Sequence, residues 1–212
     1  MSQAIWIVLG WAGIGLALSL VIQRFQPGAP QSTSRRTAVI SALITLVLFG
    51  LLAWRFGATA ELLAFSVLAL FGTRLAVIDL KELRLPTTLI MPLYPATLGL
   101  LGLAAAANES YLDLLRAVLG MVVLPAAYLA VAVISRGGIG GGDIRLAGPV
   151  GLVLAWQSWT AVAAGTVIAF LYANIAALVI LANGRAIRHT QVPFGPAMLA
   201  GMFTCVLVPW SV

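Results

Sequence analysis

Long apolar runs, separated by short polar or glycine-rich breaks, occupy most of the chain. An α-helix needs roughly 20 predominantly apolar residues to cross the hydrocarbon core of a bilayer. Candidate runs cover residues 4–22, 37–54, 60–79, 88–107, 112–134, 144–156, 159–182 and 194–211. The pattern predicts an all-α, polytopic transmembrane helical bundle with about eight spans.

Two of these runs need further argument. Residues 144–156 are short for a span and contain Gly148, Pro149 and Gly151, so we expect a broken helix or a re-entrant segment there. The first run has no basic residue before it and reaches spanning length. A cleaved signal peptide has a basic start and a shorter apolar region, so we interpret residues 4–22 as a retained first helix.

Composition supports the membrane assignment. Hydrophobic residues make up 62% of the 212 residues and charged residues only 8%. The longest polar stretch, residues 23–36, is only as long as a linker, so we predict a single integral-membrane domain over residues 1–212. Cys205 is the single cysteine, which excludes an intrachain disulfide or a cysteine-rich zinc cluster. We expect no cofactor and no metal.

A formal net charge of +6 raises the question of a nucleic-acid partner. The cations lie singly in loops without aromatic neighbours, which favours the lipid bilayer as partner and argues against nucleic acid. With eight crossings, one side receives Arg24, Arg35, Arg36, Lys81, Arg84, Arg136, Arg145, Arg185 and Arg188, and the other keeps Arg55 and Arg116 with Glu61, Glu109 and Asp113. Basic loops face the cytoplasm, so both termini are predicted to lie outside.

Two aspartates arrive on the predicted cytoplasmic side. Asp79 ends the third apolar run, and Asp143 follows a stretch with five glycines in six positions, residues 137–142. Glycine backbone reaches positive φ and passes close to another chain, but it does not hold a helix by itself, so we expect unwound backbone near residues 137–142. We expect this stretch to position the acid. Burying an ionisable side chain at membrane depth costs free energy, so such residues usually have a function.

If the two carboxyl groups share one proton, one acts as general base on a water while the other donates a proton to a carbonyl oxygen. This is the chemistry of peptide-bond hydrolysis by an aspartyl pair. Two other classes remain open on the residues alone: a small proton- or cation-coupled transporter that binds its ion with paired acids, and a non-catalytic assembly factor. A purely structural interpretation also remains, in which Asp79 is an interfacial charge, the glycines form a loop and Arg145 anchors that loop at the headgroups.

Three motifs resemble those of one enzyme family. Gly140-Gly141-Gly142-Asp143 matches the G-x-G-D signature of intramembrane aspartyl proteases. Asp79, followed seven residues later by Pro86, resembles the first catalytic motif of bacterial prepilin peptidases, and Pro193-Phe194-Gly195-Pro196 resembles their proline-rich entry to the last helix. The order and spacing of the motifs fit that family, and the resemblance covers nearly the whole chain.

The resemblance implies a type IV prepilin leader peptidase in the bacterial cytoplasmic (inner) membrane, acting on type IV prepilin or pseudopilin precursors at the cytoplasmic face. It implies Asp79 and Asp143 as the catalytic pair and Gly140 and Gly142 as the approach to it. The remaining residues expected to bind substrate or shape the site are Arg145, Pro86, Pro193, Phe194, Gly195 and Pro196.

The chain departs from this family in three places. Bifunctional relatives carry a cysteine-rich domain between the first two helices and also methylate the new amino terminus, whereas residues 23–36 are short and contain no cysteine. We therefore do not expect N-methyltransferase activity. Thr87 and Thr88 follow Pro86 where the family often has Asn or Asp. Arg145 stands where many relatives have Lys, which keeps the charge but not a deprotonatable amine.

Overall fold

The computed structural model describes residues 2–25, 35–135, 139–182 and 193–208. Within these ranges the chain is helical and contains no strand. The helices are α1 (Ser2–Phe25), α2 (Arg35–Phe56), α3 (Ala60–Glu82), α4 (Thr87–Ile90), α5 (Leu93–Asn108), α6 (Tyr111–Ile134), α7 (Gly141–Gln157), α8 (Trp159–Ala182) and α9 (Gly195–Leu207). Some positions considered above lie outside the described ranges, namely Arg136, Gly137, Gly138, Arg185 and Arg188.

Each apolar run of the sequence corresponds to a helix or, for α4 and α5, to a pair of helices in one span. Among the residues that the structure describes, six segments are long and apolar enough to cross a membrane by length and composition: α1, α2, α3, the α4–α5 pair, α6 and α8. α7 and α9 are shorter, with 17 and 13 residues. The prediction of a polytopic, all-helical bundle is confirmed.

The short helices α7 and α9 lie at the centre of the bundle with α3. Every residue of α7 from Leu146 to Trp156 is buried. Glycines allow α6 to lie against α7, since a Cβ at Gly120 would come within 2.5 Å of the Gly151 carbonyl oxygen. Lipid supplies little hydrophobic drive for helix association, so such close backbone contacts provide much of the attraction.

α7 is continuous, although Pro149 lies in its interior. Proline has no N–H, so the carbonyl of Arg145, four residues earlier, loses its intrahelical partner. The Tyr94 hydroxyl on α5 donates to that carbonyl oxygen at 2.7 Å, and Gly148 leaves room for the tyrosine ring. The expectation of a broken helix here was wrong, because a neighbouring helix satisfies the freed carbonyl.

Arg116, near the start of α6, holds the carboxyl end of α7. Its guanidinium donates to the last carbonyl oxygens of α7, those of Ala155, Trp156 and Gln157. It also pairs with Asp113 at 2.8 Å. These carbonyls have no partner within the helix, and a cation there complements the helix dipole. The amino end of α7 therefore lies at the opposite end of the bundle from Arg116.

Candidate active site

Asp79 lies in the last turn of α3, and the residues that end this helix fix its place. Leu83 adopts a left-handed conformation, φ 51°, and its N–H donates to the Asp79 carbonyl oxygen at 2.9 Å. Pro86 then precedes α4 with φ −67°, the value that its ring imposes. The chain turns away at this point and leaves the Asp79 side chain inside the bundle, where the residue is 5% exposed.

The amino end of α9 holds the buried Asp79 carboxylate. The Gly195 N–H donates to Asp79 Oδ2 at 3.0 Å. Gly195 is the first residue of α9, with Phe194 as its N-cap and Pro196 next, and half-buried Pro193 leads into this start. The first N–H groups of a helix have no partner within it and lie at the positive end of its dipole. The free N–H and the buried carboxylate therefore satisfy each other.

Asp143 lies at the start of α7 in a similar arrangement. Gly140 is the N-cap and Asp143 is the third helical residue. The Asp143 carboxylate reaches back to the backbone of Gly140, since a Cβ at Gly140 would lie 3.1 Å from Asp143 Oδ2, and in a capping box the N–H of the N-cap residue donates to such an N3 acid. Asp143 Oδ1 is buried and has no hydrogen-bond partner in the described part of the chain. One oxygen is thus beside the backbone donor and the other is unpaired.

The glycines before Asp143 allow close packing rather than an unwound backbone. The expectation of non-helical backbone up to the acid was wrong for Gly141 and Gly142, which lie in the first turn of α7. The first turn of a helix needs no intrahelical N–H bonds, so glycine is tolerated there. None of Gly140, Gly141 and Gly142 has positive φ. A Cβ at Gly142 would lie 2.8 Å from the Cβ of Leu85.

Buried Leu85 lies where the three motifs meet. Its Cβ contacts Gly142, and its Cδ1 would lie 3.2 Å from a Cβ at Gly195. Gly195 in turn touches Asp79, since a Cβ there would lie 2.9 Å from Asp79 Oδ2. The fold brings Asp79 and Asp143 close enough for the charges of their carboxyl groups to interact.

Arg145 and Thr87 lie on the exposed rim of this site. Arg145 Nη1 donates to Thr87 Oγ1 at 2.9 Å, which ties the start of α4 to the first turns of α7. Among the described residues Arg145 forms no ion pair with either aspartate, and Arg84 pairs with Glu82 instead. Arg145 therefore braces the rim in this structure and does not neutralise an acid.

Three aromatic rings from different parts of the chain line the site behind Asp143. Phe194, at the N-cap of α9, contacts Phe170 of α8 and Tyr128 of α6, with ring centroids 5.1 Å and 5.7 Å apart. Tyr128 and Asp143 are close enough to interact electrostatically. Nothing in the sequence singles out Tyr128, Phe170 or Leu85, because one aromatic or leucine residue within an apolar span resembles any other.

The arrangement is suited to hydrolysis. Leu85 contacts both Gly195, whose N–H donates to Asp79, and Gly142, which precedes Asp143, and the rim beside them is exposed. A water between two carboxyl groups can lose a proton to one of them while the other protonates the substrate.

Comparison with known proteins identifies one family. The model of the type IV leader peptidase family matches residues 62–182, which include Asp79 and Asp143. No solved structure matches the chain significantly.

Curated relatives agree with this match. The prepilin leader peptidase/N-methyltransferase of Bacillus subtilis is 30% identical over 187 residues, which are 86% of this chain and 72% of that protein. Proteins of the same name from Stutzerimonas stutzeri and Neisseria gonorrhoeae are 27% and 29% identical, over 94% and 90% of this chain but 68% and 64% of their own lengths. This chain therefore belongs to the type IV leader peptidase family and is a multi-pass membrane peptidase.

Proposed function

We propose that this peptidase removes the leader peptide from type IV prepilin or pseudopilin precursors at the cytoplasmic face of the bacterial inner membrane. Asp79 and Asp143 act as the catalytic pair. The observation that supports the proposal is that the end of α3 and the start of α7 lie together, because Leu85 contacts both Gly142, next to Asp143, and Gly195, whose N–H donates to Asp79. The substrate class rests on the names of the relatives.

In the proposed reaction a water lies between the two carboxyl groups. One carboxylate takes a proton from the water, whose oxygen attacks the carbonyl carbon of the leader junction. The other carboxyl donates its proton to the carbonyl oxygen. When the tetrahedral diol collapses, the C–N bond breaks, one diol hydroxyl returns its proton to the aspartate that had donated it, and the other aspartate passes its proton to the leaving amine. Both aspartates are then ready for another water, with no covalent intermediate.

The precursor reaches the site as an apolar helix in the bilayer with a basic leader in the cytoplasm. A peptide bond inside a helix is hydrogen-bonded and hidden, so the junction must be extended before water can attack it. A glycine at the junction lowers the cost of that extension. The exposed first turn of α7, with Gly141 and Arg145, leaves the site open at this end.

The cytoplasmic location is supported by the distribution of charge. Lys81, Arg84 and Arg145 are exposed at the end of the bundle that holds the aspartates. The acidic residues Glu61, Glu109 and Asp113 belong to the other end, where Asn108 at the end of α5 donates to Glu61 at the start of α3. Basic residues are retained on the cytoplasmic side. The transporter alternative has no comparable support, because the chain belongs to a peptidase family.

The test is cleavage of a purified prepilin by the purified enzyme in detergent or liposomes, followed by gel shift and mass spectrometry. We expect Asp79→Asn and Asp143→Asn each to lower kcat by about 10²–10⁴-fold, the usual contribution of a general acid or base. Both variants should remain folded, because Asn preserves the shape of the side chain. With S-adenosylmethionine present, the mature product should carry the unmethylated mass.

Asp113→Asn is the matched control. Asp113 is an acid at the start of α6, at the end of the bundle away from Asp79 and Asp143, and it pairs only with Arg116 among the described residues. The variant should cleave the precursor at the normal rate. Full activity of either Asp79→Asn or Asp143→Asn would falsify the catalytic pair.

A further inference from the structure

The orientation of Tyr128 is fixed by its neighbours. Its ring stacks on Phe170 with centroids 5.9 Å apart and an interplanar angle of 10°. On another side it contacts Phe194, with centroids 5.7 Å apart. The three rings come from α6, α8 and the start of α9, and Tyr128 is 3% exposed. These contacts hold the Tyr128 phenol in one orientation beside the N-cap residue of α9.

The hydroxyl of this ring lacks the hydrogen-bond partner that buried hydroxyls usually have. Tyr128 Oη is buried without a hydrogen-bond partner in the described part of the chain. Thr166 approaches it, but without the geometry of a full hydrogen bond. Buried polar groups in native proteins are nearly always paired, and an unpaired one destabilises the fold.

A second unpaired atom lies in the same region. Asp143 Oδ1 is also buried without a partner, and Asp143 is close enough to Tyr128 to interact with it electrostatically. A phenol donates a hydrogen bond, and a carboxylate oxygen accepts one. The site thus holds an unpaired donor on Tyr128 and an unpaired acceptor on Asp143. A bound peptide carbonyl could accept from the first, and the attacking water could donate to the second.

We propose that Tyr128 is a further catalytic residue, whose hydroxyl donates a hydrogen bond to the carbonyl oxygen of the scissile peptide bond. The inference rests on the proposed function. The tyrosine keeps its proton throughout. Its hydrogen bond stabilises the negative charge that develops on the carbonyl oxygen while water adds, and the aspartate pair carries out both proton transfers. A carbonyl oxygen has two lone pairs, so it accepts from Tyr128 and from the acidic aspartate together.

The test is Tyr128→Phe, which removes one oxygen and keeps the stacked ring. Loss of one preorganised donor to a developing oxyanion costs about 10²–10³-fold in kcat. We expect a fall of that size in kcat for prepilin cleavage, with KM changed by less than about twofold, because the contact strengthens only in the transition state. The thermal midpoint should stay equal or rise, because an unpaired buried hydroxyl has been removed.

Tyr172→Phe is the matched control. Tyr172 lies on α8, and its hydroxyl pairs with Thr204 Oγ1 at 3.2 Å, away from the aspartates. Its loss should leave kcat unchanged. Thr166→Val provides a second comparison, since it removes a hydroxyl that approaches Tyr128.

Full kcat in Tyr128→Phe would overturn the inference. A lower thermal midpoint in Tyr128→Phe, reproduced by Thr166→Val, would also overturn it by showing that the hydroxyl serves packing between α6 and α8. These outcomes are separate from failure of the proposed function, which would appear as normal cleavage by the Asp79→Asn or Asp143→Asn variant.

Discussion

Gly141 and Gly142 are adjacent in the first turn of α7, but only Gly142 faces another part of the chain. A Cβ at Gly142 would lie 2.8 Å from the Cβ of Leu85, while a Cβ at Gly141 has no heavy atom within 4 Å. Real Cβ atoms do not approach that closely, so an alanine at position 142 must move either Leu85 or the helix start that carries Asp143.

We therefore expect Gly142→Ala to lower cleavage by about 10²-fold, the cost of a misplacement of roughly 1 Å at a catalytic group. Gly141→Ala should keep full activity and gain about 0.4–1 kcal/mol of stability, because alanine has less backbone freedom to lose on folding. Comparison of the two variants by kcat and thermal midpoint checks this prediction. Equal activity in both would show that the contact with Leu85 has no functional importance.

Asp79 illustrates how one residue depends on a distant helix. An acid in the last turn of α3 lies at the negative end of that helix dipole, which disfavours its charge by about 0.3–1 kcal/mol. The amino end of α9 offsets this cost through the Gly195 N–H, 116 residues further along the chain. A side chain at position 195 would come within 2.9 Å of the carboxylate, so only glycine allows this contact.

At the scale of the element, the short helices decide where the acids lie. At 1.5 Å per residue, the 17 residues of α7 span about 25 Å and the 13 residues of α9 about 20 Å. Both are shorter than the hydrocarbon core of roughly 30 Å. The amino end of α9 brings the Gly195 N–H to buried Asp79, and the first turn of α7 carries Asp143.

The continuity of α7 depends on α5, and this dependence can be measured. Tyr94→Phe leaves the Arg145 carbonyl without its partner and should cost about 1 kcal/mol of unfolding free energy. Pro149→Ala restores an N–H four residues after Arg145, so in that background Tyr94→Phe should cost close to nothing. A double-mutant cycle on thermal or denaturant unfolding separates the two cases. The same loss in both backgrounds would contradict this account of the proline.

At the scale of the whole molecule, the structure separates a basic end that holds the site from an end that carries Glu61, Glu109 and Asp113, three of the six acids. Arg84 and Glu109 are exposed representatives of the two ends. Cys205 is the single cysteine of the chain, and it is buried on α9. A Cys205→Ser background therefore allows a cysteine to be placed at either end in turn.

We expect Glu109→Cys to react with a membrane-impermeant maleimide in intact spheroplasts, and Arg84→Cys to react only after permeabilisation. The physical reason is the retention of basic loops on the cytoplasmic side. Mass spectrometry of the labelled protein gives the measurement. Labelling of Arg84→Cys in intact spheroplasts would place the aspartates on the outer face and exclude the proposed location.

The sequence by itself determined the membrane class, the approximate bounds of the helices and the two aspartates as the candidate pair. These features depend on sums over neighbouring residues, such as hydropathy along a span, or on residue types that are expensive in lipid. The same local patterns misjudged α7. Gly148 and Pro149 suggested a break, and the glycines before Asp143 suggested unwound chain, because neither pattern includes the partners Tyr94 and Leu85.

Only the tertiary structure decided how the site is assembled. The Gly195 N–H at Asp79, the Leu85 contact with Gly142 and the stacked Tyr128 ring each join residues more than 40 positions apart. Such contacts arise from how whole helices pack, and single leucine, tyrosine or glycine residues in an apolar span carry no local signal of their partners. The types of residue that form the site could therefore be predicted from the sequence, because they are recognisable one by one. The distances between them could not, because these depend on how the helices pack.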